Sequence, residues 1–238
     1  HAILDSVEKS MSDIGCDVID LLYIHEPERA GQMRWFHDYN LYDGPVMEAL
    51  EEMKQRGWVK WTGVGGTTAH EMAKVIDTGV FDVVQTAFNY SLLWQEARYE
   101  IFPTAKKHDI GIICSAPLQQ GSLAVRRDEL IENGAPWISK PRREQFKALY
   151  SFLDEIGMSI VELSLRFVLS NPDIDCVLVG AKNLKEITET VAYSEKGPLS
   201  EDILKRIEEI YMMVPFRPTL EPILLPWGDT RPDIGWIV

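Results

Sequence analysis

Short apolar runs alternate with longer amphipathic stretches along most of this sequence, and this alternation constrains the fold more than any other feature. The runs predict five β-strands, over residues 18–24, 61–64, 81–86, 110–114 and 176–179. Strands that are apolar throughout, rather than at every second position, are typical of a parallel sheet covered on both faces. A repeat of such strands with helices predicts an α/β fold.

The stretches between the runs have apolar residues at helical spacing. They predict helices over residues 45–56, 68–78, 95–107, 142–155, 160–169, 184–193 and 199–213, and the N-terminus is predicted to be a helix already under way. Gly57 and Gly79 are expected to end two of these helices. Ser200 is a candidate N-cap for the last one.

Two α/β architectures remain open at this point. No Gly-x-Gly-x-x-Gly motif follows any predicted strand, which weakens the case for an open dinucleotide-binding sheet. A closed barrel needs eight strands and about 250 residues, and only five strands are predicted in 238 residues.

Net charge, hydropathy and cysteine content argue against nucleic acid as a partner, a membrane span and a cysteine-based metal site. The net charge of −13 makes nucleic acid an unfavourable partner, and no apolar run approaches the roughly 18 residues that span a membrane. Three scattered cysteines form neither a metal-binding pattern nor a disulfide framework. Cys114 and Cys176 lie in apolar runs, so we expect buried thiols in a cytoplasmic, reducing compartment.

Two segments are irregular. Residues 26–44 form a long predicted loop that carries the aromatic residues Trp35, Phe36, Tyr39 and Tyr42; it is either part of a site or an ordinary insertion. Residues 214–238 form a tail with five prolines and two tryptophans. We expect the tail to lie extended against the body of the protein or a neighbouring subunit.

Five segments in order resemble the aldo-keto reductase family. They are SVEKSMSDIGCDVIDLLYIHEP, EALEEMKQRGWVKWTGV, FDVVQTAFNYSLL, GIICSAPLQQGSL and CVLVGAKNLKEITET. The resemblance implies a (β/α)8 TIM barrel that binds NADP, with NAD possible, and that transfers a hydride between the nicotinamide and the carbonyl of an aldehyde, ketone or sugar. Residues 1–213 would be a partial barrel and residues 214–238 the tail.

The resemblance also implies roles for residues at strand ends. His25 matches a catalytic histidine that orients a carbonyl, and the alternative is a structural histidine. Gln85 matches a residue that hydrogen-bonds the nicotinamide carboxamide, and the alternative is a buried glutamine satisfied by its neighbours. The segment with Ser115, Pro117, Leu118 and Gly121 would wrap the pyrophosphate, or be a turn forced by the proline.

The last matching segment implies contacts to the adenosine end of the cofactor. Gly180 and Lys182 follow the fifth strand, and Lys182 matches a basic residue near the 2′-phosphate; the alternative is a solvated lysine. Glu186 and Glu189 match positions that contact the adenine. Thr190 stands where the family usually has an asparagine, which puts that contact in doubt.

Two departures from the family pattern stand out. Gly65 and Gly66 replace a Ser-Asn pair that holds the carboxamide, and Ser115 replaces an aromatic that stacks on the nicotinamide. Both changes resemble the aldose and galactose dehydrogenase branch, which hints at a sugar substrate, or they mark a degenerate cofactor site.

The resemblance begins in the third helix of the barrel, so it covers the C-terminal two-thirds of the family pattern. The first three strands, with the catalytic Asp, Tyr and Lys, are expected to precede residue 1 or to come from a complementing polypeptide, or else the chain is a truncated gene product. An oligomer is possible. The alternative to an enzyme is a non-catalytic interaction or nucleotide-binding protein with an incomplete site. No metal site is expected.

Overall fold

The sheet contains five parallel strands that follow one another in space in sequence order. A computed structural model describes residues 2–28, 43–218, 221–223 and 225. The strands are β1 (Ile19–His25), β2 (Val59–Gly66), β3 (Val83–Ala87), β4 (Gly111–Ser115) and β5 (Cys176–Leu178). Each overlaps a strand predicted from the sequence, so the α/β class and the parallel five-stranded sheet are confirmed.

Nine α-helices lie among the described residues. They are α1 (Ala2–Ile14), α2 (Pro45–Gln55), α3 (Ala69–Asp77), α4 (Ile101–Lys107), α5 (Asp128–Asn133), α6 (Lys140–Ile156), α7 (Ile160–Leu169), α8 (Leu184–Ser194) and α9 (Glu201–Tyr211).

The structure departs from the predicted helices in two places. The helix predicted over residues 95–107 is divided into a 3₁₀ turn at Glu96–Arg98 and α4, because Glu100 between them has the non-helical angles φ −130° and ψ −52°. Helix α5 was not predicted, since its six residues are too few to show a helical period.

Local sequence signals account for most of the helix ends. Gly57 and Gly79 follow α2 and α3 with φ of 72° and 70°, left-handed values that favour glycine. Ser139 and Ser159 cap α6 and α7 by accepting hydrogen bonds from backbone amides of the first turn. Ser200 is the N-cap of α9, as predicted, although its side chain makes no capping hydrogen bond.

The chain divides into two compact units. The first contains residues up to Asn89, Glu96–Ser115 and Asp173–Val177, and so holds most of the sheet with α1 to α4. On one face of the sheet, Val64, Val84 and Ile112 are buried, and α2, α3 and α4 pack against these strands.

The other face of the sheet differs from the prediction. Leu21, Val83 and Ile113, at the intervening strand positions, are only half-buried, and Trp61 is 52% exposed. Among the described residues, this face of the sheet is therefore covered only in part, whereas the sequence predicts cover on both faces. The apolar pattern shows that a face of the sheet can be buried. Whether other elements pack on that face depends on tertiary contacts that the pattern does not specify. Cys176, expected to be buried, is exposed in β5.

The second unit contains Tyr90–Gln95, residues 116–172 and the chain from Leu178 onward. Within it, α6 packs against α5 and α9, and α7 packs against α8. Phe146 of α6 is fully buried and meets Trp94 and Tyr150 edge to face. Of the predicted tail, Val214, Glu221 and Leu225 are buried. Trp227 and Trp236, like the aromatic residues of the loop predicted after the first strand, lie outside the described residues.

Candidate functional site

His25 and Gln85 lie in one row across the sheet, near the carboxyl ends of their strands. His25 pairs with Gly65, and Gly65 pairs with Gln85. Paired residues of neighbouring parallel strands present their side chains to the same face, and two strand spacings separate these residues by about 10 Å. His25 is exposed and Gln85 is half-buried. The imidazole and the amide therefore share one face of the sheet, with only Gly65 between them.

Gln85 and Ser115 are brought together by the pairing of β3 with β4. The Gln85 Nε2 donates to the Ser115 Oγ at 3.4 Å, and the Ser115 hydroxyl donates to the Thr86 carbonyl oxygen at 3.3 Å. These bonds orient the amide toward the end of β4 and are long enough to be exchanged for bonds to a ligand.

Two glutamates that the sequence did not single out, Glu26 and Glu28, follow His25 in the chain. The Glu28 Oε1 accepts hydrogen bonds from the backbone N–H groups of Thr67 at 2.7 Å and Thr68 at 3.2 Å. The Glu26 Oε1 accepts from the Thr67 hydroxyl at 3.4 Å. Burial raises the pKa of Glu28, and the two amide bonds only partly oppose this. Both acceptors lie about 40 residues before their donors, so no local motif marks them.

In the second unit, Pro117, Leu118 and Gly121 form one tight turn. The Gly121 N–H donates to the Leu118 carbonyl at 3.0 Å, so this amide, expected to face a pyrophosphate, already has a partner within the turn. Gly121 has φ of 93°, and a Cβ at this position would meet no atom within 4 Å. The glycine is thus required by the backbone angle, and the space beside it is open.

Arg127 is a cation at this turn that sequence analysis missed. Its Nη1 donates to the Gly121 carbonyl at 2.9 Å, and its backbone N–H donates to the Tyr150 hydroxyl at 3.1 Å. The neighbouring Arg126 is instead held by the carboxylates of Asp128 and Asp154. Two adjacent arginines are indistinguishable in sequence, and only the fold assigns one of them to the turn.

The residues after β5 gather at the N-terminus of α8, also in the second unit. The Glu186 carboxylate accepts from the Lys182 backbone N–H at 2.7 Å and from the Asn183 Nδ2 at 3.0 Å, while the Asn183 Oδ1 accepts from the Glu186 N–H at 3.0 Å. This reciprocal cap gives Glu186 a structural role. Gly180, Lys182 and Glu189 are exposed, and Glu189 faces Lys185 at 3.7 Å.

Neither a metal centre nor a membrane-spanning helix occurs among the described residues. No group of three or more His, Cys, Asp or Glu side chains there could hold a metal ion. No helix of this part of the chain is long and apolar enough to cross a membrane.

The α/β fold with its parallel sheet agrees with a comparison to known families. The profile of the Aldo/keto reductase family matches residues 1–212. The chain belongs to this family. The match covers nearly the whole chain, so the narrower expectation of a likeness to the C-terminal two-thirds alone is not borne out.

Curated relatives of this aldo-keto reductase family member include two sugar dehydrogenases. D-threo-aldose 1-dehydrogenase of a Pseudomonas species is 26% identical over 82% of this chain and 57% of the relative. L-galactose dehydrogenase of Arabidopsis thaliana is 25% identical over 86% of this chain and 62% of the relative. The chain therefore spans about three-fifths of the length of these two relatives.

A solved structure agrees in fold. The holo form of an aldo-keto reductase from Bacillus halodurans superposes with a TM-score of 0.66 and 21% identity, over 87% of this chain and 66% of that one. At this identity the likeness shows the fold.

Proposed function

We propose that this protein is an NAD(P)-dependent oxidoreductase that transfers a hydride between a nicotinamide and the carbonyl or alcohol of an aldehyde, ketone or sugar. Membership of the Aldo/keto reductase family supports this reaction class. The observation that carries the proposal is the row that joins His25 and Gln85 through Gly65 at the carboxyl end of parallel strands, where the sites of α/β barrels are built.

The residues of the first unit suit the reacting end of such a cofactor. Bound nicotinamide would supply the hydride. The Gln85 amide can both donate and accept, as recognition of a carboxamide requires, and Ser115 orients it. The His25 imidazole can donate a hydrogen bond to the substrate carbonyl oxygen and polarise it for hydride attack.

Taken by itself, the second unit has two groups that suit the phosphates of a dinucleotide. The turn of Pro117, Leu118 and Gly121 has open space beside Gly121. The Arg127 guanidinium, which donates to the Gly121 carbonyl, places a positive charge there. Both features suit a pyrophosphate. The exposed Lys182 would favour NADP over NAD by pairing with a 2′-phosphate. Glu186 and Glu189 would then contact the adenine. To do so, the Glu186 carboxylate would give up one of its hydrogen bonds at the N-terminus of α8.

Several wider features belong to the same proposal. The sheet would form part of a (β/α)8 barrel over residues 1–213, followed by the tail of residues 214–238. The names of the aldose and galactose dehydrogenase relatives favour a sugar among the small-molecule substrates. A cytoplasmic location, an oligomer and a complementing N-terminal segment stay predictions. The non-catalytic alternative has less support, because curated relatives of the chain are named as dehydrogenases.

Two measurements test the proposal. Titration of the protein with NADPH and with NADH, followed by fluorescence of its seven tryptophans, should give saturable quenching with tighter binding of NADPH. Turnover with a panel of aldoses and simple aldehydes should fall at least about 100-fold in His25→Ala, as expected for loss of a positioned acid–base group, while the cofactor Kd changes less than about threefold.

His70→Ala is the matched control. His70 is an exposed histidine on α3 that pairs with Glu100, and its loss should leave both turnover and the cofactor Kd unchanged. Absence of saturable binding of either dinucleotide to the wild-type protein would remove the proposed function. Normal turnover in His25→Ala would remove the role of His25 alone.

A further inference from the structure

The buried carboxylate of Glu28 joins two segments that are far apart in sequence. Its Oε1 accepts from the backbone N–H groups of Thr67 and Thr68, and Glu28 is only 6% exposed. Thr68 is the N-cap of α3, and its own side chain makes no capping hydrogen bond. Glu28 therefore accepts from the N–H of the N-cap itself and of the residue before it, as the glutamate of a capping box accepts from the N-cap N–H.

Gly66 makes room for this carboxylate. A Cβ at position 66 would overlap Glu28 Oε1 and Met72 Sδ and would lie 2.6 Å from Glu28 Oε2. Met72 is fully buried in the core and Glu28 is only 6% exposed, so a side chain at position 66 would require both of these side chains to shift. The Glu28 carboxylate thus occupies space that is available only because residue 66 is a glycine.

The chain between His25 and Glu28 is also held by the end of β2. The Glu26 N–H donates to the Gly65 carbonyl at 2.6 Å, which extends the pairing of β1 with β2 past the end of the strand. Glu26 has φ of 50°, a left-handed angle that a non-glycine residue adopts only when its surroundings impose it. The backbone on the C-terminal side of His25 is therefore fixed at both Glu26 and Glu28.

The His25 ring has no comparable support of its own. Within the part of the chain that the structure describes, no hydrogen bond to its ring nitrogens is found. The position of the imidazole therefore depends on its backbone, and the backbone after it is anchored by the glutamate.

We propose that Glu28 is a positioning residue for His25, holding the segment after β1 against the turn before α3 in the space left open by Gly66. This inference rests on the proposed function for its effect on turnover, but the placement of the imidazole can be measured without turnover. Displacement of a catalytic group by about 1 Å can cost about 100-fold in rate.

The test compares three variants in the full chain. Glu28→Gln keeps an Oε1 acceptor for Thr67 and Thr68, Glu28→Ala removes it, and Glu48→Ala changes an exposed glutamate on α2. The first readout is the imidazole C–H NMR signal of His25, assigned among the five histidines by its loss in His25→Gln. We expect a shifted or broadened signal in Glu28→Ala and wild-type signals in Glu28→Gln and Glu48→Ala.

The second readout is steady-state kinetics well below the unfolding temperature. Glu28→Ala should lower kcat about 10- to 100-fold with KM changed less than about threefold, and Glu28→Gln should restore kcat to within about threefold of wild type. A purely structural role would lower the unfolding temperature of Glu28→Ala but leave the kcat of the folded enzyme unchanged.

The outcomes separate the two proposals. If the wild-type protein shows no turnover, the proposed function fails, and the NMR comparison still decides whether Glu28 positions His25. An unchanged His25 signal in folded Glu28→Ala overturns the positioning role. If Glu28→Ala does not fold, Glu28→Asp, which withdraws the carboxylate by one methylene, takes its place, and an unchanged His25 signal there overturns the role equally.

Discussion

Arg142 and Glu221, which lie 79 residues apart in sequence, form a buried bidentate ion pair. The Arg142 Nε lies 2.8 Å from one carboxylate oxygen of Glu221 and its Nη2 lies 3.1 Å from the other, with side-chain exposures of 0% and 3%. The Trp94 Nε1 donates to the same carboxylate at 2.7 Å. The pair holds the chain after α9 to α6 within the second unit.

Removal of one partner of this pair should be strongly destabilising, because it leaves the other charge buried and unpaired. We expect Glu221→Ala to lower the free energy of unfolding by about 3–5 kcal/mol in chemical denaturation. Glu209→Ala breaks the exposed pair with Arg206 and should cost less than about 1 kcal/mol. Equal losses in the two variants would contradict the assignment of Glu221 to a buried pair.

Asp82 should make stability depend on acid pH. Burial favours a raised pKa, but hydrogen bonds from Lys54 and from the Thr62 N–H and hydroxyl outweigh it and leave the pKa of Asp82 below its ordinary value. A lowered pKa stabilises the folded state above the ordinary aspartate pKa of about 3.9, and this contribution is lost as pH falls through the lowered pKa.

Asp82→Asn should therefore be less stable than wild type at pH 7, and the difference should shrink as the pH falls below about 4. Thermal unfolding followed by circular dichroism between pH 7 and pH 3 measures this difference. Lys54→Met removes one donor and should give a smaller loss of the same sign. A difference that stays constant over the whole range would argue against the ionised Asp82 as its source.

The two cysteines of the sheet should differ sharply in reactivity. Burial raises the pKa of the Cys114 thiol to about 12, and Cys176 is exposed. Since the thiolate is the reactive form, a disulfide reagent should modify Cys176 in the native protein and Cys114 only after unfolding. Cys176→Ser should lose the fast phase of labelling. Equal rates for the two thiols in the native state would be incompatible with this burial.

Two tyrosine hydroxyls offer a matched comparison. The Tyr23 hydroxyl is buried and has no hydrogen-bond partner among the described residues, whereas the Tyr150 hydroxyl accepts from the Arg127 N–H. Tyr23→Phe should leave the free energy of unfolding unchanged or raise it slightly, and Tyr150→Phe should lower it by about 1 kcal/mol. Urea denaturation measures both; a clear loss in Tyr23→Phe would reveal an unrecognised partner of that hydroxyl.

Local pattern was sufficient to predict most of the secondary structure. Strand β3 and helix α7 are encoded by apolar residues within a few positions of one another, and Gly57 marks a helix end by its own backbone freedom. The same locality explains the errors. The six residues of α5 are too few to show a helical period. The apolar Trp61 does not indicate whether other elements cover its face of the sheet.

The order of strands and helices, and the presence of His25 and Gln85 on strands, follow from sequence alone, because hydrophobic period is a property of neighbouring residues. Three relationships emerge only in the folded chain: His25 and Gln85 share a row with Gly65, Glu28 binds the turn before α3, and Glu221 pairs with Arg142. Such contacts join positions tens of residues apart, and their partners are set by how the elements pack rather than by any local spacing.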